Sequence, residues 1–196
     1  MKRYIPIILS LALLVGCGQQ SKVPQDSFYR LTAPASITPS GAGLDGVLVV
    51  PRFLSDGLMS ERPLVYAFGA SPAKLQQYHY HFWTESPARM LQELTVDYLR
   101  KAGAAPTVVT PELRAVAAYE LIGKIKRLEQ IRGNDQRVEV SLEFGLYRVK
   151  DGSLVLLRSY DESVALNDED VAGAAAAMSS AVSDVLAGLV RDIASL

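Results

Sequence analysis

The sequence predicts an α/β (α+β) fold: a single domain with a mixed, mostly antiparallel sheet and two main helices packed on one face. Three observations carry this. First, Val138, Val140, Leu142, Phe144 and Leu146 alternate with Arg137, Glu139, Ser141, Glu143 and Tyr147, the pattern of a half-buried strand with one wet face. Second, turn sequences bracket that strand, Ile131-Arg132-Gly133-Asn134-Asp135 before it and Lys150-Asp151-Gly152 after it, so three long strands fold into a meander. Third, residues 87–102 and 169–195 repeat apolar side chains at helical spacing.

In chain order, Phe28–Leu31 is a short aromatic strand, and Ala33–Gly43, rich in Pro, Gly and Ser, is a loop. Gly46–Val50 is a continuous apolar run, as in a central strand buried on both faces, and Pro51 ends its pairing. Ser55-Asp56-Gly57 is turn chemistry. Pro63–Phe68 and the aromatic-rich Leu75–Trp83 are strands. The first helix spans Pro87–Ala102: Ser86 stands at its N-cap, Pro87 at its first turn, and Gly103 closes it. Leu91, Leu94 and Tyr98 form its buried stripe, flanked by Met90 and Leu99.

Thr107–Val109 is a further short strand. In the first long strand, Tyr119, Leu121, Gly123 and Ile125 share one face, and the alternation then slips to Leu128, which predicts a bulge. The third long strand, Leu154–Leu166, is apolar on both faces at first and polar later. The last helix runs from about Glu169 to Ser195, with Asn167 or Asp168 as its cap and Asp168, Glu169 and Asp170 at its positive end. Val171, Ala174, Met178, Val182, Val185, Leu189 and Ile193 make its apolar stripe, and the small side chains of Ala172–Ala177 let it lie close to the sheet.

The amino terminus is a separate unit. Lys2 and Arg3 precede an apolar run, Tyr4–Val15, too short for the ~20 residues of a permanent spanning helix. Gly16 and the sole cysteine, Cys17, follow in signal-peptide order. Leu14-Val15-Gly16-Cys17 resembles a bacterial lipobox. That resemblance implies a signal peptide over 1–16, cleavage before Cys17, diacylglycerol on its sulfur and acylation of its new amino group. A plain signal peptide with an incidental cysteine, or an uncleaved anchor, is the alternative. Residues 17–27 are then the lipidated Cys and its tether, and 28–196 the folded domain. The polar stretch Gly18–Ser27 reaches at most about 35 Å extended and typically about 17 Å as a coil. Gly18, rather than Asp, after the cysteine implies sorting to the outer membrane, periplasmic face.

Removing Lys2 and Arg3 from 20 basic residues against 21 acidic ones leaves a mildly acidic chain, without the clustered basic face of a nucleic-acid binder. No second apolar run is expected to approach membrane-spanning length. With Cys17 lipidated, no disulfide is expected.

Chemistry-bearing motifs are sparse. His79 and His81 lie on one side of a strand and could pair on a metal, but no third ligand is at hand, so surface or packing roles are favoured and no metal or other cofactor is expected. No nucleophile elbow, phosphate loop or dinucleotide fingerprint is present, and no carboxylate pair stands out, so no catalytic residue is assigned. Candidate partner-binding residues are Leu58 and Met59, in a loop that is either exposed or tucked into the core, Tyr78 and Tyr80 on a contact face, and Trp83, for which a core wedge between sheet and first helix is favoured over a hot spot.

The order of features resembles one family. The lipobox is followed by Tyr29-Arg30-Leu31, by the run from Val47 through Pro51-Arg52-Phe53-Leu54 to Ser55-Asp56-Gly57-Leu58, and by Leu75-Gln76-Gln77-Tyr78 through Trp83, leading into Pro87 and a helix with Leu91, Leu94 and Leu99. This resembles the ABC-type transport auxiliary lipoproteins, which include the outer-membrane lipoprotein of paraquat-inducible (Pqi-type) systems. The resemblance implies a non-catalytic component beside an inner-membrane ABC permease and ATPase and an MCE-domain carrier that moves phospholipids or other hydrophobic molecules. Homo-oligomers fit either reading. A periplasmic envelope-assembly or regulatory lipoprotein is the alternative, and the short tether argues mildly against it.

Overall fold

The computed structural model describes residues 24–34, 37, 43–69, 73–167 and 170–196. Its elements in order are β1 (Ser27–Tyr29), β2 (Val47–Val49), a 3₁₀ turn (Gly57–Ser60), β3 (Pro63–Phe68), β4 (Leu75–Trp83), α1 (Pro87–Ala102), β5 (Thr107–Val109), a second 3₁₀ turn (Pro111–Leu113), β6 (Tyr119–Arg132), β7 (Arg137–Arg148), β8 (Ser153–Ala165) and α2 (Val171–Ala194).

The sheet is mixed. β6, β7 and β8 form the expected antiparallel meander, and β3 and β4 pair antiparallel. The short strands join in parallel: β1 on β4, β2 on β5 and β6, and β3 on β6. One edge of β6 is taken by β7 along almost its full length. Its other edge is divided between β2 at Tyr119 and Glu120, a single bridge from Leu54 to Lys124, and β3 at Glu129–Arg132. The bridge is held from both sides: Leu54 N–H donates to the Gly123 carbonyl at 2.8 Å, and Ile125 N–H donates to the Leu54 carbonyl at 2.9 Å.

The predicted bulge in β6 is present, with the register shifting between Ile125 and Arg127. Before it, Leu121, Gly123 and Ile125 share the face of Leu146, Phe144 and Leu142 on β7; after it, Leu128 and Gln130 do so with Val140 and Val138. The inward side chains of β7 are fully buried, and both helices join them in one core. Helix α2 supplies Ala174, Met178, Ala181, Val182, Val185, Leu186 and Leu189; α1 supplies Leu91, Leu94, Tyr98 and Leu99. Contrary to the expectation of no second run of spanning length, α2 is long and apolar enough to cross a membrane. Its apolar side chains are instead spent on the core.

Two glycines set close approaches. A Cβ on Gly123 would stand 2.5 Å from the ring of Phe53, which lies on the strand there and meets Phe144 edge-on at 5.6 Å. On α2, a Cβ at Gly188 would stand 3.0 Å from the ring of Tyr160. The Tyr160 hydroxyl donates to Asp192 Oδ2 at 2.7 Å, and burial, then that contact, pushes its pKa up.

The helix starts differ from expectation. Asp170, rather than Asn167 or Asp168, caps α2, its carboxylate accepting from Ala172 N–H at 3.3 Å and Gly173 N–H at 3.1 Å. Ser86 occupies the N-cap of α1 without a side-chain cap bond, while its carbonyl accepts from Arg89 and Met90 N–H. Gly103 closes α1 in the left-handed conformation, φ 69°.

The sheet face away from the helices carries a charged network. Arg127 bridges Glu129 and Glu139, and Arg137 bridges Glu139 and Asp135. Glu129 is 2% exposed, and burial raises its pKa, partly opposed by Arg127.

Gly123→Ala is expected to cost about 1–3 kcal/mol by overpacking against Phe53, and Phe53→Leu in the same chain should recover part of the loss; additive costs in denaturant titrations would reject the Phe53 contact as the cause. Because the folded pKa of Glu129 is raised, folding takes up a proton there and its ionisation costs stability as pH rises through that pKa. Glu129→Gln should therefore compare more favourably with the parent at pH ~7 than at pH ~4, and a pH-independent difference in unfolding free energy would show that Glu129 is not the titrating group.

Candidate functional site: two exposed poles

The sheet has two ends, and each presents apolar side chains to solvent. At one end β3 turns into β4. The pairing jumps from Pro63 opposite Phe82 to Val65 opposite Gln77, so Tyr78–His81 bow out of the ladder. Tyr78 stacks on Tyr66 at 4.5 Å and meets His81 at 5.4 Å, Tyr66 meets Phe68 edge-on at 5.5 Å, and the Arg132 guanidinium lies 5.4 Å from the rings of Tyr66 and Phe68. The polar tips are engaged: Tyr78 donates to Gln130 Oε1 at 2.7 Å, Tyr66 donates to Gln76 Oε1 at 2.9 Å, and the Tyr29 hydroxyl is hydrogen-bonded to His81 Nδ1 at 2.8 Å. Around this row Phe28, Phe68, Leu75 and Tyr80 remain exposed.

At the other end, the segment after the second 3₁₀ turn runs beside the β7–β8 turn. Arg114 ends the 3₁₀ turn in the left-handed conformation, φ 53°. Ala118 N–H then donates to the Val47 carbonyl and Val149 N–H to the Ala118 carbonyl, both at 2.9 Å. In the turn, the Asp151 carboxylate accepts from Ser153 N–H at 3.0 Å and from its hydroxyl at 2.7 Å, and these bonds hold its pKa below the usual carboxylate range. Leu113, Val116, Val149 and Leu154 stand exposed on this braced end, Val116 at 92%.

The residues singled out from the sequence divide. Cys17 lies outside the described residues. Met59 is buried and Leu58 is half-buried against the core, so the pair is not an exposed loop: the 3₁₀ turn that holds them packs on α1 and β6. Trp83 is 2% exposed and is the core wedge, its backbone N–H donating to the Arg62 carbonyl at 2.7 Å while Arg62 Nε donates to the Trp83 carbonyl at 3.1 Å. Tyr78 belongs to the aromatic row, and Tyr80 is exposed. The histidines have different surroundings, His81 on Tyr29 and His79 exposed beside Tyr80. Among the described residues no three His, Cys, Asp or Glu side chains gather as a metal site. Sequence reasoning missed Phe68, Leu75, Leu113, Val116, Val149 and Leu154. The available signal was apolar residues falling beside turns, at Val149 before Lys150-Asp151-Gly152 and in the aperiodic stretch Leu113–Ala118.

A one-layer sheet backed by two helices, with exposed apolar side chains at both of its ends, defines a small α/β domain. Its residues 29–194 match the ABC-type transport auxiliary lipoprotein component family, and the chain belongs to that family. A Xanthomonas campestris protein of the DUF330 family has a similar fold, with TM-score 0.74 at 20% identity over 85% of this chain and 94% of that one. A second solved structure, of an uncharacterised protein, has TM-score 0.68 at 13% identity over 86% of this chain and 99% of its own. No curated protein matches.

Trp83→Ala should destabilise the domain by about 3–5 kcal/mol, whereas Tyr80→Ser should leave the unfolding midpoint within experimental error; equal losses in a thermal or denaturant melt would contradict the split between a buried wedge and a free surface residue.

Proposed function

We propose that this protein is a non-catalytic lipoprotein held by acyl chains on Cys17 at the periplasmic face of the outer membrane, where it docks an MCE-domain carrier. The carrier works with an inner-membrane ABC permease and ATPase to move phospholipids or other hydrophobic molecules. Family membership and the lipobox Leu14-Val15-Gly16-Cys17 support the anchored transport role. The observation that carries docking is the apolar end made by Leu113, Val116, Val149 and Leu154. Backbone hydrogen bonds hold Leu113, Ala118 and Val149 in place, so a partner loses little to ordering these parts of the surface. It also stands at the Tyr119 end of β6, away from the β3–β4 end toward which the chain before β1 runs, so an arriving carrier would not be obstructed by the tether.

Two measurements test this reading. Val116→Asp with Val149→Asp should lower crosslinking to the MCE-type carrier in native envelopes by at least about tenfold, the loss of a desolvated contact core, with no change in folding; undiminished crosslinking would place docking elsewhere. Cys17→Ala, exported but unanchored, should keep its fold and lose transport, and full transport from that soluble form would reject membrane position as the contribution of this protein.

A further inference from the structure

We infer that the β3–β4 end of the domain rests on the bilayer that holds the anchor, with Phe68, Leu75 and Tyr80 in the lipid interface. This rests on the reading of Cys17 as the lipidated residue. The argument starts from chain direction. β1 pairs parallel with β4, Ser27 opposite His81 and Tyr29 opposite Trp83. A chain traced backward from Ser27 therefore heads toward the amino-terminal end of β4, past Tyr80 and toward Leu75. Pro24, Gln25 and Asp26, the last described residues on that path, are exposed.

Length then restricts orientation. Gly18–Ser27 reaches at most about 35 Å. It leaves β1 opposite His81, part-way along the sheet and already heading for the β3–β4 end. To reach the Tyr119 end it has to reverse and run back beside roughly residues 119–127 of β6, about 26 Å, which uses most of its length, so the near end is the one presented. That end carries what an interface selects. Phe68 is 52% exposed, Tyr80 44% and Leu75 37%; Tyr favours the headgroup level, where its ring is shielded and its hydroxyl stays wet, and Phe and Leu bury at the headgroup–acyl boundary. Lys74 is exposed beside Leu75 and matches anionic headgroups. Phe28, at the entry of β1, extends the surface and is covered on one side by Arg62, whose guanidinium lies 5.6 Å from the ring. The opposite end holds aliphatic Leu113, Val116, Val149 and Leu154 instead, so the two poles differ in chemistry as well as in distance from the anchor.

Brominated-lipid quenching of tryptophan reports the orientation. The mature full chain is placed on vesicles of phosphatidylethanolamine and phosphatidylglycerol brominated near the headgroup, in parallel samples carrying its native lipid or with Cys17 coupled to a maleimide-headgroup lipid. Trp83, buried in the core, is the unquenched internal reference. Phe68→Trp and Tyr80→Trp are expected to lose about half of their added emission, and Val116→Trp none. Quenching that is equal at the three positions, or greater at Val116, overturns the inference. A native sample that fails to float with vesicles, and whose Cys17 peptide carries no lipid by mass, rejects the anchoring reading instead; the maleimide sample still measures which pole a tether at Cys17 presents.

Discussion

Both edges of β6 are occupied, and that constraint places every other strand. β7 fills one edge, and the other is shared by β2, the Leu54 bridge and β3. A strand divided in this way must curve so that separate segments can reach it. The bulge between Ile125 and Arg127 supplies the bend, and it lies beside the point where Leu54 pairs. Gly123 completes the arrangement. With no Cβ there, Phe53 can cross the strand and reach Phe144, so the single-bridge crossing is clamped by aromatic packing rather than by a longer ladder. The helices depend on this too: β7 presents a flat fully buried row to α2 only because its register against β6 is fixed on both sides of the bulge.

Local patterns made most of this legible. The strict alternation of Val138–Leu146, the turns at Gly133 and Gly152, the Pro87–Gly103 bracket and the slip to Leu128 each identify their element, because each is a short-range consequence of strand pleat or helix pitch. What was not legible depends on pairs distant in sequence. Nothing in Ser27–Tyr29 says that it will pair parallel with His81–Trp83, and nothing in Leu54 says that it will bridge to Lys124. The cap of α2 is Asp170 rather than Asn167 or Asp168, since side chains of all three can accept backbone N–H bonds and nothing in the local sequence selects the one that meets Ala172 and Gly173. The candidate site was less legible than the fold. The sequence leaves Leu58 and Met59 either exposed or tucked in, and the structure has Met59 buried and Leu58 half-buried; Trp83 is buried, as its wedge reading expects, while the exposed ends depend on which turns come together in space.

Exposed apolar side chains are ordinarily dispersed over a soluble surface, where singly they need no explanation. Here several lie toward the ends of the sheet, while Leu54 and Leu157 are exposed along its length, and the outer surface is well supplied with charge. The face away from the helices carries the Arg127–Glu129–Glu139–Arg137 network, and the exposed face of α1 carries ion pairs such as Arg89 with Glu93. Charge on the broad faces with apolar groups toward the tips is compatible with the proposed end-on contacts.

The same geometry bears on why an auxiliary domain would be anchored by so short a tether. A long tether lets a domain sample all orientations, and docking then has to select one, with affinity reduced by the fraction of time the correct face is presented. A short tether entering along β1 removes much of that cost before the partner arrives, because the direction of β1 is locked to β4 and the exposed tyrosine and phenylalanine beside it favour one end over the other. On this argument the strand β1, only three residues long, contributes more to function than to stability. With Cys17 lipidated as proposed, it would convert a lipid on one atom into an orientation for the whole sheet.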